Sequence, residues 1–227
     1  MDFRVAFPAS FDPIHRGHVD NIRHAISTFQ LTSNNRLTIG IAYGHNKTRF
    51  IDTTLAGRFI EFGLPPDLKA LVEVQVASTR DMLRRSALDP QKRVDILTRG
   101  IRNLADAEYE RTKWFTLAYA AAKEANVQPP HLMFFAATSF DFENARFSST
   151  AVREVLTSQK PSLKRLFCLV DEPWAGVLFE ASKAAPDLSS PEVTHYLSLK
   201  PDPNRPQPEP IKLFREALSR MIPGPVV

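Results

Sequence analysis

The sequence contains a single cysteine, Cys168, so it cannot form an internal disulfide bond. A chain without disulfides suits a reducing compartment, and we expect the protein to be cytoplasmic. No run approaches the roughly 20 apolar residues that a membrane-spanning helix needs, and the first residues show no signal-peptide pattern. Zinc is disfavoured too, because cysteine is scarce and the six histidines form no second cluster at ligand spacing. We therefore expect neither a disulfide scaffold, nor a membrane partner, nor a structural metal.

The composition is that of an ordinary globular protein. A chain of 227 residues buries roughly 70% or more of its unfolded surface, enough for one sizeable core. The net charge of +4 favours anionic partners. Because the basic residues are spread out, without a dense tract interleaved with aromatic residues, we expect small phosphorylated substrates and no nucleic acid.

Short apolar runs rich in β-formers alternate with segments of helical periodicity. The predicted strands are Phe3–Phe7, Leu37–Tyr43, Leu71–Val76, Val94–Thr98 and His131–Ala136. The predicted helices are Gly17–Phe29, Thr53–Phe62, Arg80–Ala87, Asp106–Ala125 and Ser149–Leu156. Such alternation is typical of strand–helix units around a parallel sheet. We predict an α/β fold with a Rossmann-like, doubly wound, five-stranded parallel sheet.

The pattern changes near Lys160. Apolar residues at helical spacing predict two short helices around residues 163–167 and 174–179. Five prolines between residues 201 and 210 then disfavour helix and central strand. A last amphipathic helix is predicted over Ile211–Met221. We therefore divide the chain into a main domain, residues 1–183, and a proline-rich linker with a C-terminal helical extension, residues 184–227.

The run Phe7–His18 carries the strongest functional signal. It follows a predicted strand and opens a predicted helix, a geometry that aims backbone N–H groups and a positive helix end at an anion. His15 and His18 bracket Gly17, which lets a ligand approach the backbone closely, and imidazoles can donate hydrogen bonds to phosphate oxygens. For the histidines alone, a surface turn or half of a zinc site are the alternatives. The whole string favours a nucleotide-phosphate site.

Two further runs offer groups that bind phosphate. In Thr98–Glu110, Arg99 and Arg102 flank Gly100 at a strand end, where guanidinium groups can bind phosphate in bidentate fashion. Standing alone, this run would be a surface cluster of arginine and glutamate. In Phe147–Glu154, hydroxyl side chains precede an apolar helix, which an ordinary N-cap also explains. A cap and a phosphate site are compatible at one helix start.

Lys47 follows the second predicted strand in a polar loop, where a lysine is ordinarily exposed to solvent. In open α/β sheets, ligands bind outside the carboxyl ends of the strands. Phe7–His18, Lys47 and Thr98–Glu110 each come just after or at the end of a predicted strand, and Phe147–Glu154 follows its strand after a longer loop. We expect the four to converge at one sheet edge.

Together these strings resemble a known family. Phe7–His18 resembles the signature of the nucleotidyltransferase superfamily, and Ser148-Ser149-Thr150 with Arg153 resembles its second signature. Thr98–Glu110 is very similar to the motif that distinguishes phosphopantetheine adenylyltransferases within the superfamily. The resemblance extends from about Phe3 to about Lys183, with the order of the motifs intact.

The resemblance implies transfer of AMP from ATP to the phosphate of 4′-phosphopantetheine, giving dephospho-CoA and pyrophosphate. It assigns His18, His15 and Lys47 to catalysis. The implied ATP contacts are Ser10, Phe11, His15, His18, Gly100, Ile101, Arg102, Glu110, Ser148, Ser149 and Thr150. The implied acceptor contacts are Ser10, Lys47, Leu83 and Arg99. Mg²⁺ is expected as an ion bound with ATP, without ligands from the protein.

Some positions depart from the family pattern. Ala9 stands where glycine is usual, Ala120–Lys123 where an asparagine–arginine pair is expected, and Ala136–Arg146 does not match the usual adenine loop. The segments before Thr98 and between Glu110 and Ser148 are longer than usual. Family enzymes are often hexameric, so a homo-oligomer is allowed, although these longer segments and the proline-rich tail argue against that assembly.

Three alternatives stay open. A nicotinate or nicotinamide mononucleotide adenylyltransferase is suggested by Pro13-Ile14-His15 and disfavoured by Thr98–Glu110. A non-catalytic nucleotide-binding protein would suit the departures. A fragment of a class I aminoacyl-tRNA synthetase has the least support, because nothing resembles its lysine-rich loop.

Overall fold

A computed structural model of the chain describes residues 3–41, 48–77, 79–89, 93–101, 104–124, 126–136, 147–200, 202 and 204–222. Side chains at positions 79, 85–88, 114, 115 and 136 fall outside this description. In chain order the elements are β1 (Val5–Ala9), α1 (Arg16–Phe29), β2 (Leu37–Ile41), α2 (Thr53–Gly63), α3 (Pro66–Lys69), β3 (Val72–Val76), α4 (Thr79–Leu88), β4 (Ile96–Ile101), α5 (Leu104–Glu124), β5 (His131–Ala136), α6 (Ser149–Leu156), α7 (Leu163–Leu169), α8 (Glu172–Lys183), α9 (Pro191–Ser198) and α10 (Glu209–Met221).

The chain divides into two compact units. Unit 1 comprises Met1–Ser10, Gly17–Tyr43 and Leu64–Ser139. Unit 2 comprises Phe11–Arg16, Gly44–Gly63 and Phe140–Val227. The division therefore falls twice within the run Phe7–His18, and it does not coincide with the predicted boundary at residue 183, which stays a prediction.

Unit 1 is built on a five-stranded sheet with the order β3-β2-β1-β4-β5. Every neighbouring pair of strands is parallel, which confirms the predicted α/β, Rossmann-like sheet. All five residues of β1 are buried, because a central parallel strand is covered on both faces. From β1 the chain adds β2 and β3 on one side, and it then adds β4 and β5 on the other side. In such sheets, ligands bind at the carboxyl ends of the two strands where this reversal occurs, here β1 and β4.

The core of unit 1 fills the space between the sheet and two helices. Its buried cluster consists of Ala6, Ala77, Met82, Leu83, Val94, Leu97, Ala118 and Ala121. On α5 the buried face is made by alanines, which let the helix approach the sheet closely. The helical spacing of Trp114, Leu117 and Ala121 predicts one packed stripe on this helix. Ala121 is buried, whereas Leu117 is 37% exposed. The prediction for the α5 stripe is thus confirmed at Ala121 and wrong at Leu117.

Unit 2 is helical and packs around Trp174 of α8. This side chain is fully buried, and its Nε1 donates a hydrogen bond of 2.6 Å to the carbonyl of Phe59 in α2. A Cβ at Gly63 would lie 2.3 Å from the indole, so this approach of α2 and α8 requires glycine. The C-terminal helix α10 buries one face, formed by Ile211, Phe214, Ala217 and Leu218, which confirms the predicted helical extension.

Two helices were not predicted, namely α3 and α9. The start of α9 is an ordinary one: Ser190 caps the helix by accepting from the backbone N–H of Val193, and Pro191 occupies the first turn. Pro210 was assigned to the linker but lies in the first turn of α10, where its missing N–H costs no helical hydrogen bond. No helix among the described residues is long and apolar enough to cross a membrane.

Candidate active site

Arg99 lies near the carboxyl end of β4, beside β1. Its guanidinium donates to the carbonyl of Pro8 in β1, and its Nε and Nη2 each lie 2.9 Å from Oε2 of Glu110 in α5. The two charged side chains are only 14% and 16% exposed. A charge-assisted pair in such partial burial is held in one orientation. Unit 1 therefore presents a fixed cation where the order of strands reverses, and Ser10 follows β1 at the same end of the sheet.

His18 lies in the first turns of α1 and is mostly buried, with 9% of its surface exposed. Its ring centroid lies 6.3 Å from that of Phe7 in β1, and the two rings are tilted by 56°. This packing limits the rotation of the imidazole. Unit 1 thus contains His18 on α1, Ser10 after β1, and Arg99 and Gly100 on β4.

Asn21, one turn after His18, was given no role from the sequence. It is 6% exposed, and its Oδ1 finds no hydrogen-bond partner among the described residues. A Cβ at Gly100 would lie 2.0 Å from Asn21 Nδ2, so glycine is what allows α1 to pack on this part of β4. The apolar stripe of α1 is predicted by the spacing of Val19, Ile22, Ile26 and Phe29, and the polar Asn21 next to Ile22 was the available signal. Ile101, the last residue of β4, is half-buried.

The loop Phe11–Arg16 belongs to unit 2 and is organised by Asp12, another residue without a predicted role. Asp12 is 4% exposed. Its Oδ1 accepts from the backbone N–H of Ile51 at 2.7 Å, and its Oδ2 accepts from that of Phe50 at 3.0 Å. Phe11, just before it, has φ of 47° and a fully buried side chain. A bulky residue in this left-handed region is strained and persists only where its surroundings hold it.

The start of α6 is tied to the same loop. Ser148 is the N-cap and accepts from the backbone N–H of Ala151 at 3.0 Å. The hydroxyl of Ser149 donates to the carbonyl of Pro13 at 2.8 Å. Arg153, one turn further, donates to Asp12 Oδ2 at 3.1 Å and to the Asp12 carbonyl at 3.0 Å. The predicted hydroxyl run thus caps its helix and contacts the loop that contains His15.

The hydroxyl of Thr150 accepts from the second terminal nitrogen of Arg153 at 3.2 Å. Hydroxyls at the start of α6 and an arginine one turn later therefore lie close together, beside backbone N–H groups of the kind that bind anions at a helix start. His15 is half-buried in the loop. All of these contacts lie within unit 2.

Arg49 adds further positive charge to unit 2. Burial lowers the pKa of its guanidinium, an effect that the carboxylates of Asp12 and Asp52 oppose and that Arg215 and Arg153 reinforce. Its Nε donates to the carbonyl of Ile51 at 2.8 Å. Arg49 therefore helps to fix the segment that follows Lys47.

Three predicted site residues remain, namely Lys47, Arg102 and Leu83. Lys47 and Arg102 lie outside the described residues. Leu83, expected to contact the acceptor, is 4% exposed and belongs to the core cluster of unit 1. Among the described residues, no three His, Cys, Asp or Glu side chains are grouped so as to hold a metal ion. The convergence of the four motifs stays a prediction, because they belong to different units.

Similarity to known proteins agrees with these features. Residues 6–155 match the family model described as cytidylyltransferase-like. The phosphopantetheine adenylyltransferase of Streptococcus mutans is 34% identical over 152 residues, which are 66% of this chain and 79% of the relative. Those of Flavobacterium johnsoniae and Dichelobacter nodosus are 29% and 30% identical over 153 residues, covering 67% of this chain and 87% and 83% of the relatives. The chain therefore belongs to the cytidylyltransferase-like family and is a nucleotidyltransferase most similar to phosphopantetheine adenylyltransferases.

Proposed function

We propose that this enzyme transfers AMP from ATP to 4′-phosphopantetheine. A phosphate oxygen of the acceptor attacks the α-phosphorus of ATP, and the bond from that phosphorus to the bridging oxygen of the β-phosphate breaks. The products are dephospho-CoA and pyrophosphate. The acceptor oxygen is already anionic at neutral pH, so the step needs no general base. Mg²⁺ enters with ATP as part of the substrate.

The observation that carries the proposal is the position of Arg99. Glu110 and the Pro8 carbonyl orient this guanidinium at the carboxyl end of β4. A cation that is already oriented reorganises little when a phosphate binds, and such preorganised charge is a large part of catalysis by positioning. The relatives named phosphopantetheine adenylyltransferases support 4′-phosphopantetheine as the acceptor.

We propose a role for each of the predicted phosphate-binding groups. From unit 1, His18 stabilises the charge that develops on the α-phosphate, and Ser10 orients the phosphates. From unit 2, the Phe11 N–H and His15 assist, and Ser148–Thr150 bind the distal phosphates at the start of α6. Lys47 binds the acceptor phosphate together with Arg99.

Adenosine is proposed to bind along the end of β4. Gly100 and Ile101 would approach it through the backbone, with Arg102 after them. Glu110 would act mainly through Arg99, because its carboxylate already pairs with that guanidinium. Leu83 lies in the core of unit 1, so it would shape the wall for the pantetheine arm from behind rather than form its surface.

The test is pyrophosphate release with ATP and, in separate assays, 4′-phosphopantetheine, nicotinamide mononucleotide, nicotinate mononucleotide and no acceptor. We expect kcat/KM for 4′-phosphopantetheine to exceed that for either mononucleotide by about 100-fold or more, since correctly paired polar groups discriminate strongly. A preference for a mononucleotide would make the protein an adenylyltransferase of that branch. ATP binding without turnover on any acceptor would make it a non-catalytic homologue.

A further inference from the structure

The segment Thr48–Ile51 directly follows Lys47 and is held by residues near the C-terminus. Thr48 donates twice to the carbonyl of Leu199, the residue that ends α9: its backbone N–H at 3.3 Å and its hydroxyl at 2.9 Å. Both contacts lie within unit 2. The first described residue after Lys47 is therefore bonded to a part of the chain 151 positions away.

Arg215 of α10 holds the next two residues. Its Nε donates to the carbonyl of Phe50 at 2.9 Å, and its Nη2 donates to the carbonyl of Arg49. The neighbouring Phe214 packs on Phe50 with ring centroids 4.6 Å apart, and both rings are fully buried. One guanidinium thus bonds to consecutive carbonyls, a bidentate contact that fixes the orientation of the peptide.

The opposite polar groups of the same segment bond to the loop of the first motif. The backbone N–H groups of Phe50 and Ile51 donate to the buried carboxylate of Asp12. The N–H groups of Phe50 and Ile51 therefore bond to the loop Phe11–Arg16, and the carbonyls of Arg49 and Phe50 bond to α10. The backbone conformation of the segment depends on both.

The C-terminal end of α10 is itself held by a residue of α2. Arg58 of α2 donates to the hydroxyl of Ser219 at 3.1 Å and to the carbonyls of Ser219 and Ile222 at the end of α10. An arginine that bonds the last carbonyls of a helix stabilises its C-terminus. Besides its buried apolar face, α10 is therefore held by guanidinium contacts from Arg58 and through Arg215.

The helices α9 and α10 lie beyond residues 6–155, which match the family model. We propose that this C-terminal region is part of the acceptor site, with Arg215 as a positioning residue that fixes the backbone following Lys47. The inference rests on the proposed role of Lys47 in binding the acceptor phosphate. It assigns a function to α9 and α10 that neither the family match nor the motifs require.

The test compares Arg215→Gln with Lys212→Gln in the full-length protein. Lys212 lies on the same helix and forms an exposed pair with Glu209, a kind of contact that contributes little. For Arg215→Gln we expect KM for 4′-phosphopantetheine to rise about tenfold, with KM for ATP unchanged. Lys47→Ala, which removes the proposed acceptor contact itself, should raise the same KM. Arg215→Lys should recover part of the loss, since one carbonyl contact can be kept. Lys212→Gln should match wild type.

A second measurement does not depend on activity. Amide hydrogen exchange of Thr48, Phe50 and Ile51 should become about tenfold faster or more in Arg215→Gln and stay unchanged in Lys212→Gln. If Arg215→Gln does not fold, Thr48→Val carries the test, because it removes only the hydroxyl bond to Leu199. We expect a smaller effect in the same direction on both readouts.

Two results would overturn the inference. In the first, Arg215→Gln leaves amide exchange at Thr48–Ile51 unchanged, and KM for ATP and KM for the acceptor either rise equally or do not rise. The other is a loss of stability in Arg215→Gln without any selective effect on the acceptor, which would make α10 merely structural. If wild type does not use 4′-phosphopantetheine, the proposed function fails, and hydrogen exchange alone decides whether Arg215 fixes the segment.

Discussion

The carboxyl ends of the strands in unit 1 and the loop Phe11–Arg16 in unit 2 hold their polar groups in different ways. In unit 1, Arg99 and Glu110 are eleven positions apart and meet because a strand leads directly into a helix. In unit 2, Asp12 binds Phe50 and Arg153 from 38 and 141 positions away. The first arrangement follows from the adjacency of a strand and the next helix along the chain. The second needs distant segments to assemble first, so its variants should affect stability more than turnover.

The largest effect is expected for Asp12→Ala in unit 2. Removing the carboxylate leaves the buried N–H groups of Phe50 and Ile51 without their acceptor. It also removes the charged partner of Arg153, which keeps its hydrogen bonds to the carbonyl of residue 12 and to Thr150. Breaking one partner of a buried ion pair costs about 3–5 kcal/mol, and the free energy of unfolding in urea should fall by that amount. Glu180→Ala, which removes an exposed pair with Lys183, is the control and should change it by less than about 1 kcal/mol. Equal losses of unfolding free energy in Asp12→Ala and Glu180→Ala would show that the long-range contacts of Asp12 do not stabilise unit 2 more than an exposed ion pair does.

A loss of turnover without a loss of stability is expected for His18→Ala in unit 1. Removing one preorganised donor typically lowers kcat by about 10²–10³, and we expect that range in the pyrophosphate assay. The unfolding midpoint should stay close to that of wild type. His195→Ala on α9 serves as the control and should keep full turnover. Near-normal turnover of His18→Ala would remove this residue from the mechanism.

Gly100→Ala tests how closely α1 packs on β4. The added methyl would lie 2.0 Å from Asn21 Nδ2, and overpacking of this kind costs about 1–3 kcal/mol. We expect reduced stability together with weaker ATP binding, measured by urea unfolding and by KM for ATP. Asn21→Ala in the same chain should restore much of the stability because it removes the clash. Additive effects of the two substitutions would show that the residues do not interact.

The smallest effect is expected for Ser149→Ala in unit 2. The substitution removes one hydrogen bond to the Pro13 carbonyl, which contributes about 1 kcal/mol. Stability should fall by about that amount, and KM for ATP should rise a few-fold if the start of α6 binds its phosphates. Ser198→Ala, whose hydroxyl bonds only to its own helix, should change neither quantity. A change in stability without one in KM would limit Ser149 to a structural role.

The sequence was most informative where function depends on neighbours along the chain. Strand–helix alternation predicted the sheet. The run Thr98–Glu110 predicted Arg99 as an acceptor contact and Glu110 as an ATP contact, and the structure pairs the two because a strand end and the helix after it are adjacent. An N-cap at Ser148 or Ser149 was predicted for the same local reason, and the structure shows that Ser148 is the cap.

Contacts between distant segments could not be predicted in this way. Nothing near Asp12 indicates that its carboxylate meets Arg153, and nothing near Arg215 indicates that it bonds the carbonyls after Lys47. Asn21 was overlooked because the stripe of α1 was identified from its apolar members alone. The proline-rich composition concealed the start of α10, since proline disfavours helix interiors but is favoured in a first turn.

The most direct measurement follows the acceptor's oxygen atoms. With 4′-phosphopantetheine labelled with ¹⁸O at its phosphate, attack of that phosphate on the α-phosphorus of ATP leaves all of the label in dephospho-CoA. Mass spectrometry of the products should therefore find labelled dephospho-CoA and unlabelled pyrophosphate. Label in pyrophosphate, or ATP consumption without labelled dephospho-CoA, would show that nucleotidyl transfer to this acceptor is not the reaction.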